Sequence, residues 1–213
     1  MKSTIIFDNI SKVSVYLLVV LLPLWFLPIT QNIVEYQKQA LLLVLVCVGV
    51  ASWLAKMVYE GEVVFRTSWL HIPVAGLLFA FGSSTLFSLW QYGSFWGWPL
   101  HTADNFLTFL GFTLLYFLIS QSVKDTRHLF FLLTGFLLSG TAAVVFSLLQ
   151  MKGIFLFPFD FAQTVNFNPL GTNNSVALFA AILLPLALML SSGKRKIWKG
   201  ILLFVAVLLF GAI

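Results

Sequence analysis

The sequence predicts an all-α, polytopic transmembrane helix bundle with six full spans, a seventh that is cut short, and a cytoplasmic N-terminus. Three observations lead there. The first is composition: 60% of the 213 residues are hydrophobic and only 9% are charged, whereas soluble domains carry about 25% charged residues. So few charges cannot cover a water-facing surface, so lipid is the solvent for most of the chain. The second is the succession of long apolar runs. The third is the placement of the basic residues between them.

The runs are Val13–Thr30, Ala40–Val58, Trp69–Trp90, Asn105–Ser120, Leu129–Gln150, Asn174–Leu190 and Ile201–Ile213. At about 1.5 Å per helical residue, the first six approach or exceed a hydrocarbon core of about 30 Å. The seventh gives about 20 Å. Residues 1–213 are therefore expected to form a single transmembrane domain, the amino-terminal part of a longer membrane protein. Lys2 and Lys12 ahead of an apolar run resemble a signal peptide. The following LPITQNIVEY lacks a small-residue cleavage site, so the run reads as an uncleaved first span.

Basic residues fix the expected orientation. With a cytoplasmic N-terminus, Lys2, Lys12, Lys56, Arg66, Lys124, Arg127, Lys194, Arg195, Lys196 and Lys199 fall inside, and only Lys38 and Lys152 fall outside. Ten of twelve on one side is the pattern of the positive-inside rule. The net charge of +5 then reflects membrane orientation rather than a nucleic-acid partner. The expected location is the inner (cytoplasmic) membrane, multi-pass.

Several function classes leave no mark. His71 and His128 fall near one face and His101 near the other, so the histidines cannot converge on a metal, and no metal or cofactor is expected. No Walker-type phosphate loop and no Gly-x-Ser-x-Gly elbow is present. The centres of the runs lack Asp, Glu, Lys, Arg and His, which argues against an ion-coupled carrier. The single cysteine, Cys47, lies in an apolar run and reads as a small apolar side chain.

The candidate binding groups lie in two expected outward loops. Gln91–Asp104, QYGSFWGWPLHTAD, holds Trp96, His101 and Asp104. His101 and Asp104 are three apart and would share a face if the following helix began near His101. Met151–Asn173 is rich in phenylalanine and leads through Asn168, Gly171, Asn173 and Asn174 into the next helix. Asn168-Pro169 favours a turn, Gly171 can take a positive φ, and Thr172, Asn173 or Asn174 suits the helix N-cap. The positive end of that helix can serve either plain capping or an anionic phosphate. The loop aromatics suit an interfacial belt and also an apolar floor for a lipid-linked ligand. Pro185 interrupts the helix that follows, and Ser139-Gly140-Thr141-Ala142-Ala143 offers a small-residue face for close helix contact.

Three stretches together carry a resemblance. SLWQYGSFWGWPLHTADNFLTFLGFTLLYFLIS, FSLLQMKGIF and NFNPLGTNNSVALFAAILLPLAL are similar, in that order and spacing, to segments of the bacterial O-antigen ligase/polymerase family. They cover roughly Ser88–Leu190. The resemblance implies a polytopic, metal-independent, inverting glycosyltransferase of cell-envelope polysaccharide biosynthesis. In that family a glycan leaves undecaprenyl pyrophosphate at the periplasmic face for a hydroxyl acceptor, such as a lipopolysaccharide core, a growing polysaccharide or a protein. It further implies arginines on the pyrophosphate and a histidine in a large late loop. Here His101 stands near where the family often has arginine, and no late loop is present, so no catalytic residue is assigned to this chain. The implied partners are membrane lipid, the undecaprenyl-pyrophosphate-linked glycan and the hydroxyl acceptor. The other function classes open to the sequence are a lipid or amphiphile transporter or flippase without ion coupling, and a non-catalytic membrane scaffold.

Overall fold

A computed structural model describes residues 2–26, 34–63, 65–97, 104–123, 125–159, 162–165 and 167–191. Among them are seven helices: α1 (Lys2–Leu21), α2 (Glu35–Glu60), α3 (His71–Leu86), α4 (Gln91–Trp96), α5 (Phe106–Ser122), α6 (Thr126–Met151) and α7 (Asn173–Ser191). The chain is a polytopic all-α membrane protein.

The span count corrects the sequence expectation. Only α1, α2, α6 and α7 are long and apolar enough to cross a membrane, so there are four such helices among the described residues rather than six full spans and a cut-short seventh. The expected run Trp69–Trp90 yields a helix of only 16 residues, because polar side chains divert the chain at its end. Gln91 Nε2 donates to the Leu86 carbonyl (2.6 Å), Ser88 Oγ accepts from Trp90 N (3.2 Å), and Ser94 Oγ donates to Ser88 Oγ (2.7 Å). These local bonds compete with helix continuation. α5 reaches 17 residues and stops at Val123. Both helices are apolar but fall short of about 30 Å at about 1.5 Å per residue. The expected seventh run, Ile201–Ile213, lies outside the described residues.

The chain divides into two compact units: residues 1–18 with 30–125, and residues 19–29 with 126–213. In the first, α2 and α5 run parallel. Leu42 of α2 sits over Gly111 of α5, and seven residues on Leu118 of α5 sits over Gly49 of α2. A Cβ on Gly49 would stand 2.4 Å from Leu118 Cδ2, and one on Gly111 3.0 Å from Leu42 Cδ2. Each helix thus receives the other's leucine on a residue without a side chain, which lets the backbones approach. Amides close both ends of this seam. At the start, Gln39 Nε2 donates to Asn105 Oδ1 (3.2 Å), the N-cap of α5. At the finish, Gln121 Oε1 accepts from Arg66 N (2.8 Å), and Gln121 Nε2 donates to Arg66 O (3.1 Å).

α1 begins at Lys2, well before Val13, and so carries Asp8 and Lys12 within it. Asp8 bridges Lys12 of its own helix and Lys56 of α2, each at 2.6 Å, while Ser11 pairs with Ser122 of α5 (3.0 Å). The start of α1, the end of α2 and the end of α5 therefore share one end of this unit. The buried residues of α1 include Val15 and Leu18, each 1% exposed.

The second unit is built on α6 and α7. Val176, Ala180, Leu183, Ala187 and Leu190 recur every three or four residues along α7 and pack with Leu137 and Val144 of α6. Gly140 lies at the closest point, where a Cβ would be 2.7 Å from Leu183 Cδ1 and 3.1 Å from Phe179 Cε1. This is the small-residue stretch Ser139–Ala143, whose polar members turn inward on their own helix. Ser139 Oγ donates to Phe136 O (3.1 Å) and Thr141 Oγ1 to Leu137 O (2.7 Å), so these hydroxyls need no water. α7 stays helical through Pro185, which lies on its exposed side.

Candidate functional site

The site in the second unit is built from the end of α6 onward. α6 closes in a Schellman turn: Gly153 takes φ +76°, its N–H donates to Gln150 O (2.9 Å), and Ile154 N donates to Leu149 O (3.0 Å). The chain then runs into the aromatic loop. Gln150, 1% exposed, reaches that loop from α6, with Nε2 donating to Ala162 O (2.6 Å). One buried amide thus fastens a coil segment to a helix.

The phenylalanines form a cluster rather than a scatter. Phe26, Phe146, Phe157 and Phe167 meet with ring centroids 5.3–6.4 Å apart, the separations that edge-to-face and offset pairs prefer. Phe159 stacks on Phe157 at 6.2 Å. Phe26, Phe146 and Phe157 wall a cavity of about 620 Å³, completed by Leu138, Val145 and Leu149 of α6 and by Pro169. Its lining is almost wholly apolar, and its volume falls in the range of drug-sized ligand sites.

Pro169 links that cavity to the polar corner. Asn168 Oδ1 accepts from Leu170 N (3.0 Å), and Gly171 N donates to Asn168 O (3.3 Å). Gly171 takes φ +102°, a conformation that side chains disfavour. Thr172 is the cap of α7: its Oγ1 accepts from Ser175 N (3.2 Å), and its carbonyl accepts from Val176 N (3.1 Å). Asn173 and Asn174 are the first residues of α7, and their side chains are exposed. Asn168 is 3% exposed, and its Nδ2 has no hydrogen-bond partner among the described residues. The same holds for Gln150 Oε1. An unpaired buried polar atom costs about 1–3 kcal/mol, so this corner keeps one donor and one acceptor unspent.

The remaining predicted residues belong to the first unit. Trp96 ends α4 and is 52% exposed, with Phe95 at 5.2 Å in edge contact. Asp104 is exposed. His101 lies outside the described residues. α5 begins at Phe106, with Asn105 as its cap, so Asp104 precedes the helix. The link between Trp96 and Asp104 is Asn105, a residue that sequence reasoning passed over. It is 2% exposed, donates from Nδ2 to Trp96 O (2.9 Å), and accepts at Oδ1 from Thr108 N (2.7 Å) and from Gln39. An asparagine directly before an apolar run was the available signal. The structure thus gathers Trp96 and Asp104 around one cap, and Asn168, Gly171, Asn173 and Asn174 into one turn. These are two sites in two different units.

Also missed was the cluster at the other end of the first unit, where Asp8, Lys12, Lys56 and Glu60 gather. The i,i+4 spacing of Asp8 and Lys12 was its sequence trace. No group of three or more His, Cys, Asp or Glu side chains gathers as a metal site among the described residues.

Comparison with known proteins adds no relative: no family model, no curated protein and no solved structure matches the chain.

Proposed function

We propose that this chain is the membrane part of an O-antigen ligase/polymerase-like glycosyltransferase, and that its second unit receives the undecaprenyl-pyrophosphate carrier of a glycan destined for a hydroxyl acceptor. The observation that carries the reading is the continuity of an apolar cavity with a polar turn through Pro169. An apolar cavity suits part of an isoprenoid chain, and a polar turn suits a pyrophosphate. The cavity wall is hydrocarbon and aromatic, so a chain entering it loses nothing by leaving lipid. The turn offers the first N–H groups of α7, the exposed amides of Asn173 and Asn174, and the unspent Nδ2 donor of Asn168. Donors without a fixed cation suit an anion held by backbone and amide groups.

The order of the motif stretches between Ser88 and Leu190 supports the same ligand, and the ten-to-two distribution of basic residues supports a periplasmic address for the turn. In this reading the chain binds and orients the carrier. Trp96, His101 and Asp104, in the first unit, are kept as candidate contacts for the glycan or the acceptor, and inversion occurs when an acceptor hydroxyl attacks the anomeric carbon while undecaprenyl pyrophosphate departs.

The test is retention of undecaprenyl pyrophosphate against undecaprenol by the purified protein in nanodiscs, read by native mass spectrometry. The reading predicts at least tenfold stronger retention of the pyrophosphate. Equal retention of both removes the head-group site and leaves only a lipid-filled cavity.

A further inference from the structure

We infer that the polar cavity at the α1/α2/α5 end of the first unit is a binding site for the phosphoethanolamine headgroup of a membrane phospholipid. The cavity, about 90 Å³, is lined by Trp53, Lys56, Glu60, Glu62, Arg66 and Gln121, with Asp8, Ser11 and Ser122 alongside. A single water needs roughly 10–15 Å³ of such space, so the cavity admits a small headgroup and no sugar chain.

Its charges fall into two groups. Asp8, Lys12, Lys56 and Glu60 form a closed set. Asp8 holds both lysines at 2.6 Å, and Lys56 stands 4.0 Å from Glu60. Two negative and two positive charges leave no net demand there. Arg66 and Glu62 remain. They line the same cavity, both are exposed, and neither side chain forms an ion pair or hydrogen bond among the described residues. One cation and one anion, unpaired and sharing a small cavity, complement a zwitterion: the phosphate on the Arg66 guanidinium, the ammonium on the Glu62 carboxylate. Hydroxyls of Ser11 and Ser122, already paired with each other, add acceptor and donor capacity beside them.

Arg66 is also held in place. It lies in the irregular connection between α2 and α3, yet its backbone receives three side-chain bonds. Two come from Gln121, 5% exposed, and the third comes from His71 Nε2, which donates to Arg66 O (2.8 Å). A carbonyl only accepts, so His71 Nε2 carries a proton, and Nδ1 pairs with the Tyr116 hydroxyl (3.0 Å). A buried glutamine and a His–Tyr pair spent on one loop residue fix where its guanidinium starts. The cavity lies where the helices of this unit end, the level at which headgroups lie. Among headgroups, phosphoethanolamine offers a phosphate and a compact ammonium with N–H donors. Phosphocholine lacks those donors, and phosphoglycerol lacks the cation.

The experiment loads the full chain into nanodiscs of equal phosphatidylethanolamine, phosphatidylcholine and phosphatidylglycerol, then identifies co-retained lipid by native mass spectrometry under gentle activation. The expected result is at least fivefold enrichment of phosphatidylethanolamine over each of the others. Arg66→Gln and Glu62→Gln should each reduce that enrichment at least threefold, while melting within about 3 °C of wild type shows the fold intact. Equal retention of phosphatidylcholine or phosphatidylglycerol overturns the proposal, as does undiminished enrichment in both variants. Should Arg66→Gln fail to fold, Glu62→Gln alone decides, since the Glu62 carboxylate supports no structural contact among the described residues.

Discussion

The two units use buried amides in opposite ways. In the first, every polar atom of Asn105 and Gln121 is engaged. Asn105 joins α2, α4 and α5 through three bonds, and Gln121 matches the Arg66 backbone with two. In the second, Gln150 and Asn168 are equally buried, yet each keeps one atom unpaired among the described residues. The α6–α7 seam is held by Leu183 on Gly140 and by apolar neighbours, while both amides turn to the loop. A fully satisfied buried amide is a fastener. A half-satisfied one retains capacity for something else, at a cost in stability. The contrast separates structural polarity from site polarity in a membrane protein that has little of either.

The contrast breaks most readily at Asn105. Asn105→Ala removes a helix cap and leaves Gln39 and the Trp96 carbonyl without their partner, an expected loss of about 2–4 kcal/mol. Thermal melting in detergent should show the largest fall of any single amide substitution. A smaller drop than for Asn168→Ala would reverse the assignment of fastener and site.

Gly140→Val tests the other unit's reliance on packing. Its side chain would enter the space of Leu183 and Phe179, with an expected loss of about 1–3 kcal/mol. An unchanged melting temperature would mean that the seam opens freely.

Asn168→Asp keeps the Oδ1 acceptor that holds Leu170 and exchanges the unpaired donor for an acceptor. Retention of undecaprenyl pyrophosphate should fall about tenfold, equivalent to about 1.4 kcal/mol. The isosteric turn should survive, judged by an unaltered helical circular dichroism signal. Thr172→Ala should cost about 1 kcal/mol through the lost α7 cap, with a proportionate drop in melting temperature. Smallest is Lys56→Gln. It cuts a partly exposed ion pair in a network that retains Lys12, so the change should stay below about 1 kcal/mol in the same melt.

How much of this was legible in the sequence follows from how local each feature is. The Asn168–Thr172 corner was readable because Asn-Pro, glycine and a hydroxyl cap act over a few residues, and the structure has Gly171 at φ +102° with Thr172 as the cap. The middles of α2, α6 and α7 were readable from apolar run length. The ends were not. α1 starts at Lys2 because Asp8 finds Lys12 one turn away and Lys56 on another helix, so charges that seemed to exclude the segment are neutralised within it. α3 ends at Leu86 because Ser88 and Gln91 recapture the backbone, although the apolar run continues to Trp90. The span count failed on such ends. Pairings across 66 residues (Gln39 with Asn105) or 55 residues (Arg66 with Gln121) leave no local pattern to read.

The most direct measurement of the central claim is photolabelling of the protein in nanodiscs with a diazirine-bearing polyprenyl pyrophosphate, followed by peptide mapping. Adducts are expected to concentrate on the cavity of the second unit, at Phe26, Leu138, Val145 and Phe157, and to fall at least tenfold when unlabelled undecaprenyl pyrophosphate competes. Labelling spread evenly over outward residues such as Ile72 and Phe79 of α3, 67% and 78% exposed, and unaffected by the competitor, would contradict it.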